Sequence, residues 1–189
     1  MAKKILATVG VISAFIVIMM LSALALFTDT ASVPANSFTT GTVDITTSPT
    51  TALVTFSAMA PGDQVTAPIT VTNAGTLQLR YAITGTTTEN VLAAQLDLTV
   101  KSGVTTCTNG GFGTDGTVIY ATGDLGNTTA VNLVGNPATG SQAGDRTLNA
   151  AANEILCFNV SLPLSSGNAF QNLTSTATFD FIAEQTANN

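Results

Sequence analysis

Five stretches of this 189-residue chain alternate apolar and polar or small residues with a period of two, and that pattern decides the class of fold. Val65, Ala67, Ile69 and Val71 make the first file, and Leu77, Leu79, Tyr81 and Ile83 the second. Leu96, Leu98 and Val100 follow, then Leu156, Phe158, Val160 and Leu162, and finally Ala177, Phe179, Phe181 and Ala183. Side chains two apart share a face of an extended chain, so each file predicts a strand with one face buried. Shorter candidates lie at 42–46, 53–57, 118–121 and 130–134. Eight or nine strands of this length imply an all-β, two-layer antiparallel sandwich. Composition agrees: charged residues are 8% of the chain and Thr is abundant, which suits strands with a hydroxyl-rich outer face. Trp is absent, so Val, Ile, Leu and Phe must build the core.

Punctuation falls where such a sandwich turns. Ala60-Pro61-Gly62-Asp63 predicts a type II turn, with Pro presetting φ and Gly accepting a positive one. Asn73-Ala74-Gly75 separates two alternating files and predicts a hairpin between them. One or two helical turns are expected around 89–95. The stretches 103–117 and 135–153, rich in Gly, Asn, Thr and Ala, read as long loops, and no fixed-period repeat is present.

The N-terminus reads differently. Lys3 and Lys4 precede an uncharged, mostly apolar run over 5–27, and Ala23-Leu24-Ala25 places small residues where a signal peptidase accepts them. This is an export signal with cleavage expected after Ala25; the alternative is a retained anchor, since the run is long enough to cross a bilayer. Cleavage moves the net charge from −6 to −8 by removing Lys3 and Lys4. Only Arg80, Lys101 and Arg146 then remain basic, too few to cluster on phosphates, so nucleic acid is excluded as a partner. In an exported chain the pair Cys107 and Cys157 suggests one disulfide, worth about 4 kcal/mol in the chain-entropy model; two buried free thiols are the alternative. Cys157 has the parity opposite to Leu156 and Phe158, so it points away from the core and a bond to Cys107 would clip the Gly-rich loop onto the strand.

Little here carries chemistry. The chain has no His, which removes Ser-His-Asp, Cys-His and His-x-x-x-His arrangements, and two Cys cannot close a zinc site. The eleven acids are scattered near turns and strand ends and read as solvated surface. Gly110-Gly111-Phe112-Gly113 lacks the Lys and helix of a phosphate loop, and no calcium spacing occurs. No cofactor and no catalytic residue is therefore expected. Asn127, Asn159 and Asn172 head Asn-x-Ser/Thr sequons, the roughly three that chance gives with 14 Asn and 46 Ser plus Thr; Asn159 shares the outward parity of Cys157 and is a candidate glycosylation site. Lys101 reads as a surface lysine, the alternative being an isopeptide bond to an Asn or Asp.

Certain segments resemble a known family. Leu26-Phe27-Thr28-Asp29-Thr30-Ala31 leads through Asn36-Ser37-Phe38-Thr39-Thr40-Gly41-Thr42-Val43-Asp44-Ile45 to Met59-Ala60-Pro61-Gly62-Asp63 and Val71-Thr72-Asn73-Ala74-Gly75-Thr76-Leu77, and Phe179-Asp180-Phe181-Ile182-Ala183-Glu184-Gln185 closes the series. This order is similar to the TasA/camelysin family of exported biofilm matrix proteins, with its archaeal bundling-pilus relatives; residues 103–153 match little. The resemblance implies a jelly-roll-like sandwich whose subunits join head to tail, an extended N-terminal segment of one completing a sheet of the next. On this chain it implies a signal peptide at 1–25, a donor segment at 26–36 and the sandwich at 37–189. Phe27, Ala31 and Val33 share one face of that segment, Thr28, Thr30 and Ser32 the other, and Pro34 interrupts it as a hinge should. Folding back in cis is the competing reading.

The expectation is a secreted, non-enzymatic fibre or pilus subunit at the cell surface. Its partner is itself, as a homopolymer that caps its own sheet edges by strand exchange, with signal peptidase met during export and the membrane only before cleavage. The alternatives are a monomeric adhesin or glycan-binding protein, with Phe112, Tyr120 and Phe170 as loop aromatics, and a secreted hydrolase. Some camelysin-like members are described as metalloproteases, and this chain lacks the His and the zinc motif that activity needs.

Overall fold

The computed structural model describes residues 1–22, 37–51 and 59–187, in two compact units, 1–39 and 40–189. In the first unit, α1 (Ala2–Ser22) is helical through the apolar run. Its hydroxyls are satisfied within the helix: Thr8 donates to the Lys4 carbonyl and Ser13 to that of Val9, the back-bonding that lets Ser and Thr sit mid-helix. Ile5, Leu6, Val9 and Ile12 are exposed. Among the described residues no helix is long and apolar enough to cross a membrane. The expected donor residues Phe27, Ala31 and Val33 lie outside the described residues, as does the strand expected at 53–57.

The second unit is an all-β sandwich of two antiparallel sheets. The strands described are β1 (Ile45–Ser48), β2 (Gln64–Asn73), β3 (Leu79–Thr87), β4 (Asp97–Ser102), β5 (Thr117–Asp124), β6 (Val131–Val134), β7 (Arg146–Leu148), β8 (Asn153–Ser161) and β9 (Ala177–Gln185). One sheet runs β1-β2-β8-β4-β5. In the other, β9 takes the whole of one edge of β3, while β6 and β7 share the opposite edge end to end. The five alternating files become β2, β3, β4, β8 and β9. Their inward residues, with Val71, Leu79, Ile83, Leu98, Val100, Leu156 and Phe158 fully buried, form one core between the sheets.

Two expectations fail, each for a physical reason. The first is the hairpin at 73–75: β2 and β3 do not pair but lie in opposite sheets, so this segment is a corner. Asn73 makes the corner. It is fully buried; its Oδ1 accepts from Gly75 N at 3.0 Å, and its Nδ2 faces the carbonyls of Leu77, Leu148 and Asn149 at 2.8, 3.1 and 3.1 Å. A side chain that supplies the backbone with its own partners replaces the ladder a hairpin would have used. The segment leading into β1 seals it, since Thr42 O accepts from both Thr76 N and Leu77 N. A Cβ at Gly75 would stand 2.4 Å from Thr42 O, so only glycine fits. The candidate strand at 42–46 accordingly starts late, as β1.

The second failure is the loop at 135–153, which contains β7. Three residues, of which Leu148 alone is apolar, leave no alternation to read. The turn at 60–63 forms as expected, with Gly62 at φ 94°, Asp63 N donating to Ala60 O at 2.9 Å, and Ala60 N donating to Asp63 Oδ2 at 2.7 Å. Residues 89–95 form hydrogen-bonded helical turns, with Ala94 N on Asn90 O and Leu96 N on Leu92 O.

Candidate functional site

Among the described strands, β1 and β9 lie at the edges of opposite sheets on the same side of the sandwich. β1 is four residues long and is followed by Pro49, which has no N–H to continue a ladder. β9 is nine residues long, and among the described strands it pairs with β3 alone. The short strand cannot roof the long one, and a groove of about 310 Å³ remains between them. Thr47, Pro49 and Thr51 line one wall, Ile69 the floor, and Phe179 and Phe181 the other wall. Both rings are only half-buried. Phe179 tilts against Phe158 with centroids 5.1 Å apart, and Phe181 against Tyr81 at 6.2 Å. Each therefore has one side on the core and another on the groove. An edge with an apolar groove beside it suits an extended segment, whose backbone extends the ladder while alternate side chains fill the gap. The sequence shows Phe179 and Phe181 only as a core file; nothing in it says that β1 falls short of them.

On β8, the central strand of the first sheet, Cys157 forms a disulfide with Cys107 across 50 residues, Cα to Cα 5.6 Å. It clips the 103–116 loop over the outer face, as parity suggested. Lys101 is part of the clip: its Nζ donates to Phe112 O at 2.7 Å and lies 4.6 Å from the centroid of that ring, so it is not a plain surface lysine. Asn109 adds a bond to Gln64 O at 2.8 Å. Asn159 has the outward parity expected but not the access: it is 6% exposed, and its Nδ2 donates to Gln64 Oε1 and Thr66 Oγ1 at 3.0 and 2.7 Å. That burial corrects its reading as a glycan acceptor. Asn127 and Asn172 are exposed. Of the three aromatics expected in loops, Phe112 lies under Lys101 and Phe170 ends a 3₁₀ turn, but Tyr120 falls within strand β5, where its hydroxyl donates to Asp124 O at 3.2 Å.

The acids are not simply solvated surface. Asp145 accepts from Asn136 N and Gln142 N, and Asp115 from Thr105 N, fixing turns. Glu89 accepts from Val91, Leu92 and Ala93 N at 2.7, 2.8 and 3.0 Å. Burial pushes its carboxyl up, but these amides outweigh it and hold it below the usual range. Glu154 joins the two sheets at the end of the core, accepting from Tyr81 Oη at 2.6 Å and pairing with Arg146. Burial, then the bond and charge of Glu154, push the Tyr81 phenol far above its ordinary value. These carboxylates hold loops and strands in place.

A family model described as camelysin metallo-endopeptidase matches residues 1–189, the whole chain. The chain belongs to the camelysin family. No curated protein matches it. Among solved structures, this camelysin-family chain is similar to Spo0M, the sporulation control protein of Bacillus subtilis, at 14% identity and a TM-score of 0.25, over 77% of this chain. It spans about half (49%) of the length of that protein's chain. It is also similar to the ASH/PapD-like domain (PapD-like domain 7) of human CEP192, at 11% identity and a TM-score of 0.28, over 85% of this chain and 96% of that one. Overlays this loose carry no functional argument. The family's description implies a metal, and the donor set of this member does not fit one: the chain has no His, both its Cys are joined to each other, and among the described residues no three Cys, Asp or Glu converge.

Proposed function

We propose that this chain is a structural subunit of an extracellular fibre, without enzymatic activity, that polymerises head to tail when the 26–36 segment of one copy joins the β9 edge of the next. The observation that carries this reading is the long β9 edge above a groove walled by half-buried Phe179 and Phe181. Membership of the camelysin family supports a matrix-type protein. The sequence of 26–36 complements the groove, since Phe27, Ala31 and Val33 fall on one face of an extended segment. Completing the burial of an aromatic ring is worth up to roughly 1.5–3 kcal/mol, and the added ladder supplies main-chain bonds along the strand. Export through the 1–25 signal, cut after Ala25, frees the donor only outside the cell, which keeps assembly from starting inside it.

Deletion of 26–36 tests the mechanism by negative-stain microscopy. The deleted protein is expected to form no filaments, and an excess of synthetic 26–36 peptide is expected to stop elongation of the intact one. Filaments of normal length from the deletion, or elongation indifferent to the peptide, would refute it.

A further inference from the structure

The outer face of the β9-β3 sheet carries a second recess, independent of the groove described above. The 136–145 loop crosses this face and encloses about 230 Å³ over Ala82 and Ile182. The loop is pre-formed: Asp145 holds Asn136 N and Gln142 N at 3.0 and 2.8 Å, and Gly140 N donates to Glu184 Oε1 at 2.9 Å. At one side lies Arg80, 7% exposed, whose Nε donates to Glu184 Oε1 while its Nη2 is buried with no hydrogen-bond partner. A buried cationic donor without an acceptor is destabilising, so an acceptor oxygen brought to Nη2 through the recess relieves that cost.

Charge selects the kind of oxygen. One guanidinium faces the carboxylates of Glu184 and Asp145 in the same recess, a balance of one negative charge that disfavours an anion and tolerates a neutral acceptor. Asn136 and Thr139 at the mouth offer groups that both donate and accept, as hydroxyls do. Ile182, 42% exposed, gives an apolar floor for C–H groups, with the buried Ala82 beneath it. The volume lies below the roughly 300 Å³ at which drug-sized sites begin. We propose that this recess binds a single residue of a neutral polysaccharide, with Arg80 Nη2 donating to a sugar oxygen. No aromatic platform contributes, so affinity is expected near the millimolar range.

The test is titration of the intact chain with neutral oligosaccharides built on glucose, galactose, mannose and N-acetylglucosamine, followed by saturation-transfer NMR, with sulfate as competitor. At least one is expected to bind. Arg80→Lys, which removes Nη2, and Ala138→Phe, which narrows the mouth from an exposed loop position without touching Arg80, should each weaken it by roughly tenfold or more. If Arg80→Lys fails to fold, as judged by circular dichroism, Ala138→Phe carries the test. No sugar binding at tens of millimolar, binding unaltered by the variants that fold, or displacement by sulfate overturns the proposal. Filament formation is not part of this readout, so it stands or falls apart from the assembly reading.

Discussion

Replacing Asn73 probes the corner that turns this chain from one sheet into the other. The amide is oriented without ambiguity, because a donor, Gly75 N, faces Oδ1 and three carbonyls face Nδ2. Asn73→Ala removes the two N–H groups and Oδ1, leaving buried carbonyls and Gly75 N without partners. At about 1 kcal/mol per bond lost, and more where a buried group is orphaned, the expected loss is about 3 kcal/mol. Asn73→Asp keeps the shape but points oxygen at the carbonyls of Leu77, Leu148 and Asn149 from 2.8–3.1 Å, so the loss must exceed that of alanine. For a chain of this length each kcal/mol lowers Tm by roughly 2–4 °C, which puts the alanine variant about 6–12 °C down. Thermal unfolding followed by circular dichroism, with Asn132→Ala on the exposed face of β6 as control, reads the difference. An aspartate variant as stable as the alanine one would refute the reasoning, since the three carbonyls would then not depend on the amide.

Two further outcomes are expected. The Cys107→Ala/Cys157→Ala double variant loses about 4 kcal/mol, from closing a loop of 50 residues' separation, and calorimetry should show Tm lowered by roughly 8–16 °C; a fall of under about 2 °C would mean that Lys101 and Asn109 alone hold the 103–116 loop. Because the folded-state pKa of Tyr81 is raised, its contribution is full below the unfolded value of about 10 and is lost as pH climbs from there toward the folded value. Wild-type Tm should therefore decline above pH 10 more steeply than that of Tyr81→Phe, and equal slopes would contradict the assignment.

The sequence by itself determined the class of fold and most of its strands. Alternation with a period of two forces one face inward, and that constraint is local: β2, β3, β4, β8 and β9 are all legible in it. It also determined the disulfide's placement, since the parity of Cys157 puts the sulfur on the outer face where the Gly-rich loop lies. Family membership was legible in the opening motif and in the segments from Met59 onward.

Which strands pair was not legible, because partner choice depends on contacts between residues far apart in the chain. Asn73-Ala74-Gly75 has the composition of a hairpin turn, and only the approach of Thr42 and of the Leu148 and Asn149 carbonyls, over 70 residues away, makes it a corner. Outward parity likewise says which way Asn159 points, not that Gln64 and Thr66 stand waiting beneath a clipped loop. The groove beside Phe179 and Phe181 and the recess over Ala82 are of the same kind. Each exists because an element from elsewhere, a short β1 or the 136–145 loop, stops where it does. A strand's pattern fixes its faces; what covers those faces is decided only when the sheets are assembled.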